Sequence, residues 1–366
     1  MGRYDSQRRS YRYTGNNLKS RKRQKGMSWI KWSTLIIALG LLTFVGYNAY
    51  ELFYKPVGRN SEVVYLTVNR EKSLEKLRED IQTKLWPRHP KLLDYLIEYE
   101  DLASKLSPGR YAITPEMSTM ELVKTLRDGI KTPVQLSFQD IRTEDELIKH
   151  LTSRLLMDQT ELRSALFDAK RLERLQLDSQ SVRSLFLVQS YEVPWEIEGK
   201  EFMDMMVQRY EQFWTDSRKA KLDSLGITAA QATSLAAILE EESSKKDEHP
   251  QIARLYLNRY HINMPLQSDP TVKFALGDFS LRRILSEHLK VDSPYNTYRT
   301  VGITPGPIRL VRPETIDAVL NAPKHKYLYM CAKEDFSGYH NFAADYATHL
   351  KNARAYQKAL NARGIK

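Results

Sequence analysis

An apolar run in the C-terminal half ends in three consecutive acids, LAAILEEESSKK, Leu235 to Lys246. Carboxyl groups can carry protons to and from weakly basic oxygens, so the run raises general acid–base chemistry, although three glutamates in a row ordinarily make a solvated helix end. At about 100° per residue, Leu235, Ile238 and Leu239 share one stripe. Glu242 falls near the centre of that stripe, Glu241 on its flank, and Glu240 on the opposite side, facing water. A carboxyl on the buried face loses hydration, which disfavours its charged form and raises its pKa toward the range of a proton donor at neutrality. Glu242 is therefore the candidate acid, and Glu240 is not.

Two later stretches carry the residue types that hold sugars. NRYHINMPLQSDPTV, Asn258 to Val272, gathers Gln267, Ser268, Asp269, Pro270 and Thr271 in a turn just after a helix. SPYNTYRTVGITPGPI, Ser293 to Ile308, combines Tyr295, Asn296, Thr297 and Tyr298 with a Pro-Gly-Pro turn. Aromatic rings cover pyranose faces, while Asn, Gln and Thr side chains hydrogen-bond hydroxyl and acetamido groups. Each stretch alone is ordinary turn composition. The eight histidines show no HExxH or similar ligand spacing, and no Walker or GxGxxG loop is present. The single cysteine, Cys331, can form neither an internal disulfide nor a Cys-based zinc site. No metal or cofactor is expected.

The elements that must position these residues can be read from pattern. Thr228 and Gln231 have capping-box spacing, which starts the glutamate helix at Ala229. Before it, PVQLSF reads as a strand from Pro133, and leucines at helical spacing predict a long helical region over about Thr143 to Leu225. LFLVQSYEVPWE, Leu185 to Glu196, interrupts it as a packed turn or a groove wall. Further upstream, EVVYLTV and PGRYAIT read as strands enclosing two helices, SLEKLREDIQTKL and PKLLDYLIEYEDLASKL, and STMELVKTLRDGI adds a helix with Ser118 and Glu121 in capping-box spacing. This β-α-α-β order and size resemble a LysM module, which grips N-acetylated glycan chains.

With 366 residues, of which 42% are hydrophobic, the chain can hold more than one core. Its net charge of +11 is concentrated at the N-terminus, where residues 1–31 carry ten Lys or Arg against Asp5. The uncharged run that follows, WSTLIIALGLLTFVGYNAY, has 19 residues. At about 1.5 Å per residue it reaches close to the ~30 Å hydrocarbon core of a bilayer. It exceeds a signal-peptide apolar region and precedes no small-x-small cleavage site, so it reads as a retained anchor. Excess Lys and Arg on one side put the tail in the cytoplasm and the rest of the chain outside it, with Trp29, Trp32, Tyr47, Tyr50 and Tyr54 as interfacial aromatics. The basic tail is then a topology determinant that touches anionic lipid, and no nucleic acid partner is expected. The expected organisation is an α+β protein with a tail over 1–31, a transmembrane helix over 32–50, a linker over 51–61, a LysM-like module over 62–132 and a catalytic domain over 133–366.

The succession ILEEES, NRY, LQSDPTV, YNTY, GITPGPI and YLYMCAKEDFSGYHNFAADYATH closely resembles the endolytic murein transglycosylase, or YceG-like, family of bacteria, densely over Ala236 to Asn352. The resemblance implies that Glu242 is catalytic, with Glu240 in support. It also implies that Gln267, Ser268, Asp269, Thr271, Tyr295, Asn296 and Thr297 bind substrate. His340 and Asn341, with Phe342, match an element bordering the site. Where many relatives have an aromatic-Pro-Asp-Thr-Tyr segment, this chain reads VQSYEVPW, keeping Tyr191 without the Pro-Asp pair.

The implied reaction cleaves the β-1,4 bond between N-acetylmuramic acid and N-acetylglucosamine of nascent strands and leaves a 1,6-anhydro end. It implies a single-pass protein of the inner membrane whose partners are peptidoglycan strands, membrane lipid and peptidoglycan synthases such as penicillin-binding proteins. Two rivals remain at this stage. One is a lysozyme-like muramidase using Glu242 and Asp269, since hydrolases pair two carboxyls; the other is a non-catalytic glycan-binding scaffold.

Overall fold

The computed structural model describes residues 19–364, with the backbone alone over 19–28; the first part of the basic tail, 1–18, lies outside the described residues. A helix of 36 residues, Lys19–Tyr54, opens the chain. Its segment Trp29–Tyr54 is long and apolar enough to cross a bilayer. The helix overruns the expected span of 32–50 at both ends, because Lys, Arg and Gln are good helix formers and the first breaker is Pro56. The expected linker over 51–61 accordingly begins inside the helix. Its remainder is built into the unit that follows: Val57 is buried in that core and its amide donates to the Met117 carbonyl at 2.8 Å.

The chain divides into two compact units. One runs to Ser107 and takes in Tyr111–Ile130; the other is Pro108–Arg110 with everything from Lys131. In the first, strands Val64–Val68 and Gly109–Ile113 form a two-stranded sheet. Helices Leu74–Leu85 and Pro90–Tyr99 lie between them in sequence, and helix Thr119–Arg127 follows. Their apolar stripes, among them Leu77, Ile81, Leu85, Leu96, Ile97 and Leu122, close over Leu66 and Tyr111. Ser118 and Glu121 make the reciprocal capping box that their spacing predicts. The second helix is shorter than its pattern suggests: Asp101 takes a left-handed conformation, φ 50°, and only a one-turn helix, Leu102–Lys105, follows.

The second unit holds the acid run. Strands Val134–Ser137 and Ser190–Val193 pair antiparallel, with Val134 opposite Val193 and Ser137 opposite Ser190. Within the stretch read as a turn or groove wall, Leu185 to Glu196, residues Ser190–Val193 are thus a strand, formed from β-prone Tyr191 and Val193 and stopped by Pro194. Between the strands, short helices Glu144–Thr152, Gln159–Leu166 and Ala169–Arg174 replace one long helical region. Helices Gly199–Phe213 and Asp216–Leu225 come next, and then helix Ala229–Glu242 with its Thr228/Gln231 capping box. That helix packs against His249–His261 and Pro313–Leu320. Every residue from Ala232 to Leu239 is buried, so the helix has no wet face along this stretch. A hairpin, Tyr329–Ala332 with His340–Ala343, and helix Tyr346–Ala362 complete the unit.

The Pro-Gly-Pro turn is a packing device. A Cβ on Gly306 would lie 1.9 Å from the Gln180 carbonyl oxygen, an approach only glycine allows. Beside it, the buried Arg183 guanidinium donates to the Pro307 carbonyl at 2.6 Å and pairs with Glu144.

Candidate active site

Glu242 is the last helical residue; Ser243 turns away in an extended conformation. Two neighbouring elements reach its carboxylate. Tyr256, on helix His249–His261, donates its hydroxyl to Glu242 Oε1 at 2.7 Å. Ser268, the residue before helix Asp269–Leu276, donates its Oγ–H to the same oxygen at 2.7 Å. The carboxylate opens to solvent only along a cleft, and the protein packed around it pushes its pKa above the ordinary glutamate value. The bonds from Ser268 and Tyr256 oppose that rise, the charge of Asp269 adds to it, and His340 opposes it. Burial, followed by the Glu242 charge and hydrogen bond, also holds the Tyr256 phenol protonated far beyond its usual range.

The cleft has a volume of about 520 Å³. Glu242 lies in its wall with Gln267, Asp269, Tyr298 and His340, and the strand Tyr329–Ala332 forms another side. Asp269 accepts from the Tyr298 hydroxyl at 2.6 Å. His340 is held twice by the buried Glu248, whose Oε1 accepts from the His340 amide at 2.9 Å and whose Oε2 lies 3.0 Å from Nδ1. Arg259 also lines the cleft: its Nε donates to the Leu328 carbonyl at 2.6 Å and its Nη1 to that of Leu266 at 2.7 Å. Burial lowers its pKa below the usual arginine value.

Of the residues expected to touch substrate, Gln267, Asp269 and His340 line the cleft. Ser268, Thr271, Asn296 and Thr297 do not: all four are buried and spend their polar atoms inside the protein. The Ser268 amide donates to Thr297 Oγ1 at 3.0 Å, the Thr271 and Thr297 hydroxyls meet at 2.8 Å, and the Gln267 amide donates to the Thr297 carbonyl at 3.0 Å. Asn296 Nδ2 binds the carbonyls of Leu289 and Val291 at 2.9 and 2.8 Å. This polar clamp ties the LQSDPTV turn to the YNTY turn and so fixes Ser268 on Glu242. Tyr295 packs against Phe274 with the rings tilted by 50° and their centroids 4.6 Å apart, away from the cleft lining. Asn341, alternating with His340 on its strand, donates to Glu334 at the surface. Tyr191 is buried in the sheet, where its hydroxyl donates to the Leu187 carbonyl at 3.1 Å.

Glu240 corrects the helical-wheel reading. Its side chain is 1% exposed, and it accepts from the Arg312 amide at 2.9 Å, Arg312 Nη1 at 3.0 Å and Thr315 Oγ1 at 2.8 Å. The supposed wet face is covered by helix Pro313–Leu320 and the residues before it. Glu241 likewise pairs with Arg142 and Arg309, at 3.0 and 2.9 Å. Both neighbours of Glu242 are ion-paired anchors that fix the end of the helix.

Sequence reasoning passed over Tyr256, Arg259 and Glu248, and noted Tyr298 among the aromatics without giving it a place in the site. A signal existed for the first two, since Tyr256 and Arg259 stand three apart on one helix and share a face. Tyr298 lay inside the YNTY run, and Glu248 had no local mark.

A model of the YceG-like family matches residues 66–355. A protein of Bacillus subtilis (strain 168) named endolytic murein transglycosylase is 36% identical over 122 residues, which are 33% of this chain and 34% of that protein. One of the same name from Streptococcus pneumoniae serotype 2 is 23% identical over 334 residues, covering 82% of this chain and 60% of that protein. The matches thus span about a third and three fifths of those relatives' lengths. The crystal structure of a YceG-like protein from Listeria monocytogenes shares the fold, with a TM-score of 0.50 and 20% identity over 80% of this chain and 99% of that one.

Proposed function

This chain belongs to the YceG-like family, and we propose that it is a membrane-anchored lytic transglycosylase that cuts the β-1,4 bond between N-acetylmuramic acid and N-acetylglucosamine within peptidoglycan strands. The observation that carries this reading is a glutamic acid with a raised pKa in the wall of a cleft, fixed by two hydrogen bonds on one carboxyl oxygen. Its relatives' name, endolytic murein transglycosylase, supports the substrate.

With Oε1 accepting from both Tyr256 and Ser268, the proton of Glu242 resides on Oε2. From there it passes to the glycosidic oxygen as the C1–O bond breaks and positive charge develops on the muramoyl C1. The carboxylate left behind takes the proton of the muramoyl C6 hydroxyl, whose oxygen bonds to C1. Acid and base are the same residue, its proton is restored, and no water is consumed. The muramoyl acetamido oxygen can assist at C1, so a second carboxyl is not required. Asp269 supports a second reading, since it lines the same cleft. In a muramidase it would act with Glu242 on water and give reducing ends.

In this reading Trp29–Tyr54 crosses the inner membrane, the Lys- and Arg-rich tail stays in the cytoplasm, and the cleft works on strands as they emerge, beside the synthases that make them. The strand-helix-helix order of the first unit supports a LysM-like grip on glycan. The test is digestion of uncrosslinked glycan strands by the full chain in nanodiscs, with product ends identified by mass spectrometry. Anhydro ends are expected; reducing ends select the muramidase, and intact strands select the scaffold.

A further inference from the structure

The segment Trp86 to Tyr95, WPRHPKLLDY, combines two aromatics, two basic residues, a histidine and two prolines at the surface of the first unit. Trp86 is 65% exposed and held in the left-handed region, φ 52°, an uncommon backbone for a bulky residue. Tyr95 is 63% exposed and stacks on Tyr99 at 6.1 Å. Neither ring belongs to the core of the unit.

The segment also has a fixed height against the anchor. Arg88, His89, Lys91 and Tyr95 line one side of an open cavity of about 630 Å³, and Asn48, on the N-terminal helix, lines the other. His89 Nε2 lies 3.1 Å from Glu51, the first acid after the uncharged run. Asn48 precedes the end of that run by two residues, about 3 Å of helix rise. Arg88, His89, Lys91 and Tyr95 therefore lie beside the last turn of the run, within the depth of a headgroup layer, which is roughly 5–7 Å thick on each side of a bilayer. The nearby acids are engaged: Glu51 faces His89, and Asp94 lies 3.8 Å from Arg78. Arg88 gives its Nε to the Gly58 carbonyl, and Lys91 is exposed.

From this placement we infer that the cavity between the end of the N-terminal helix and Arg88–Tyr95 is a binding site for the headgroup of an anionic phospholipid. Arg88 and Lys91 meet its phosphate, and Tyr95 lies at the interface between headgroup and chains. The site holds the first unit down against the bilayer. It rests on the reading of Trp29–Tyr54 as a membrane span.

The test uses the full chain in phosphatidylcholine nanodiscs doped with photoactivatable phosphatidylglycerol or, separately, photoactivatable phosphatidylcholine, with adducts mapped by peptide mass spectrometry. The expected result is adducts on Arg88–Tyr95 in excess with phosphatidylglycerol, reduced by up to about fivefold for each charge removed in Arg88→Ala and Lys91→Ala. Lys91→Glu, at an exposed position, repeats the test in a variant whose folding is not in question. Equal adducts from both probes, or adducts on Trp29–Tyr54 with none on Arg88–Tyr95, overturn the site while leaving the anchor intact. A chain with no adducts on Trp29–Tyr54 overturns the anchor, and the site with it.

Discussion

The Tyr256 hydroxyl donates to Glu242 Oε1 at 2.7 Å between two helices packed side by side, and the bond stabilises the carboxylate against the desolvation around it. Ser268 donates to the same oxygen from a loop that the Thr271–Thr297 clamp holds in place. The pair sets both the orientation of the acid and the pH range in which it keeps its proton.

Tyr256→Phe keeps the ring and removes one of these donors. Both bonds lower the pKa of Glu242, so their loss raises it further. A general acid works below its pKa, so the alkaline limb of the kcat/KM profile should move to higher pH. The plateau should fall by roughly tenfold, the worth of one hydrogen bond to a charged group. Ser268→Ala should act in the same direction. A limb that stays in place in both variants would deny that these residues tune the acid.

The raised pKa of Glu242 has a consequence for stability. The folded protein keeps this proton to higher pH than the unfolded chain does, so stability falls as pH rises from the ordinary carboxyl range through the folded value. Glu242→Gln removes that loss. The variant should melt above wild type at about pH 8, with the difference closing near about pH 4, where both chains carry a neutral group. Parallel melting curves at the two pH values would contradict it.

Glu240→Ala should destabilise the second unit without altering the lining of the cleft. It strips the partner from Arg312 and leaves Arg309, 3.7 Å away, with less compensation in a largely buried setting. Arg312 is 40% exposed and Arg309 keeps Glu241 and Asp140, so the cost is that of lost charge-assisted hydrogen bonds, about 1.5–3 kcal/mol. Thermal unfolding followed by circular dichroism reads the loss, and an unchanged midpoint would show that the ion pairs contribute nothing net.

Gly306→Ala forces a methyl group against the Gln180 carbonyl, and the backbone must give way. The expected cost is about 1–3 kcal/mol, typical of overpacking, or a few degrees of melting temperature per kcal/mol at this size. A midpoint within a degree of wild type would mean that the turn adapts freely.

How much of this was legible depended on how local each signal was. Capping boxes at Ser118 and Thr228 involve four consecutive residues, and both form as read. The stripe that selected Glu242 is also local, and its prediction of a desolvated carboxyl agrees with the structure. Glu240 was misread because a helical wheel assumes one wet face, whereas chain some 70 residues downstream covers the face that Glu240 occupies. The LQSDPTV and YNTY turns stand out in the sequence by composition, and the structure packs them against each other. Which polar groups face a cleft and which lock the turns to each other depends on tertiary packing: the Thr271 and Thr297 hydroxyls and the Ser268 amide form the lock, while Asn296 braces its own turn. Tyr256 and Glu248 act only through partners 14 and 92 residues away, at distances no local pattern reports.

The most direct test of the central claim compares wild type, Glu242→Gln and Asp269→Asn, each as the full chain in nanodiscs acting on uncrosslinked glycan strands, with the ends of every product identified by mass spectrometry. The account predicts 1,6-anhydro-muramoyl ends from wild type, a loss of at least about a hundredfold in Glu242→Gln, and anhydro ends still formed by Asp269→Asn. Reducing ends from wild type that disappear in both variants would contradict it and make the cleft that of a two-carboxyl hydrolase.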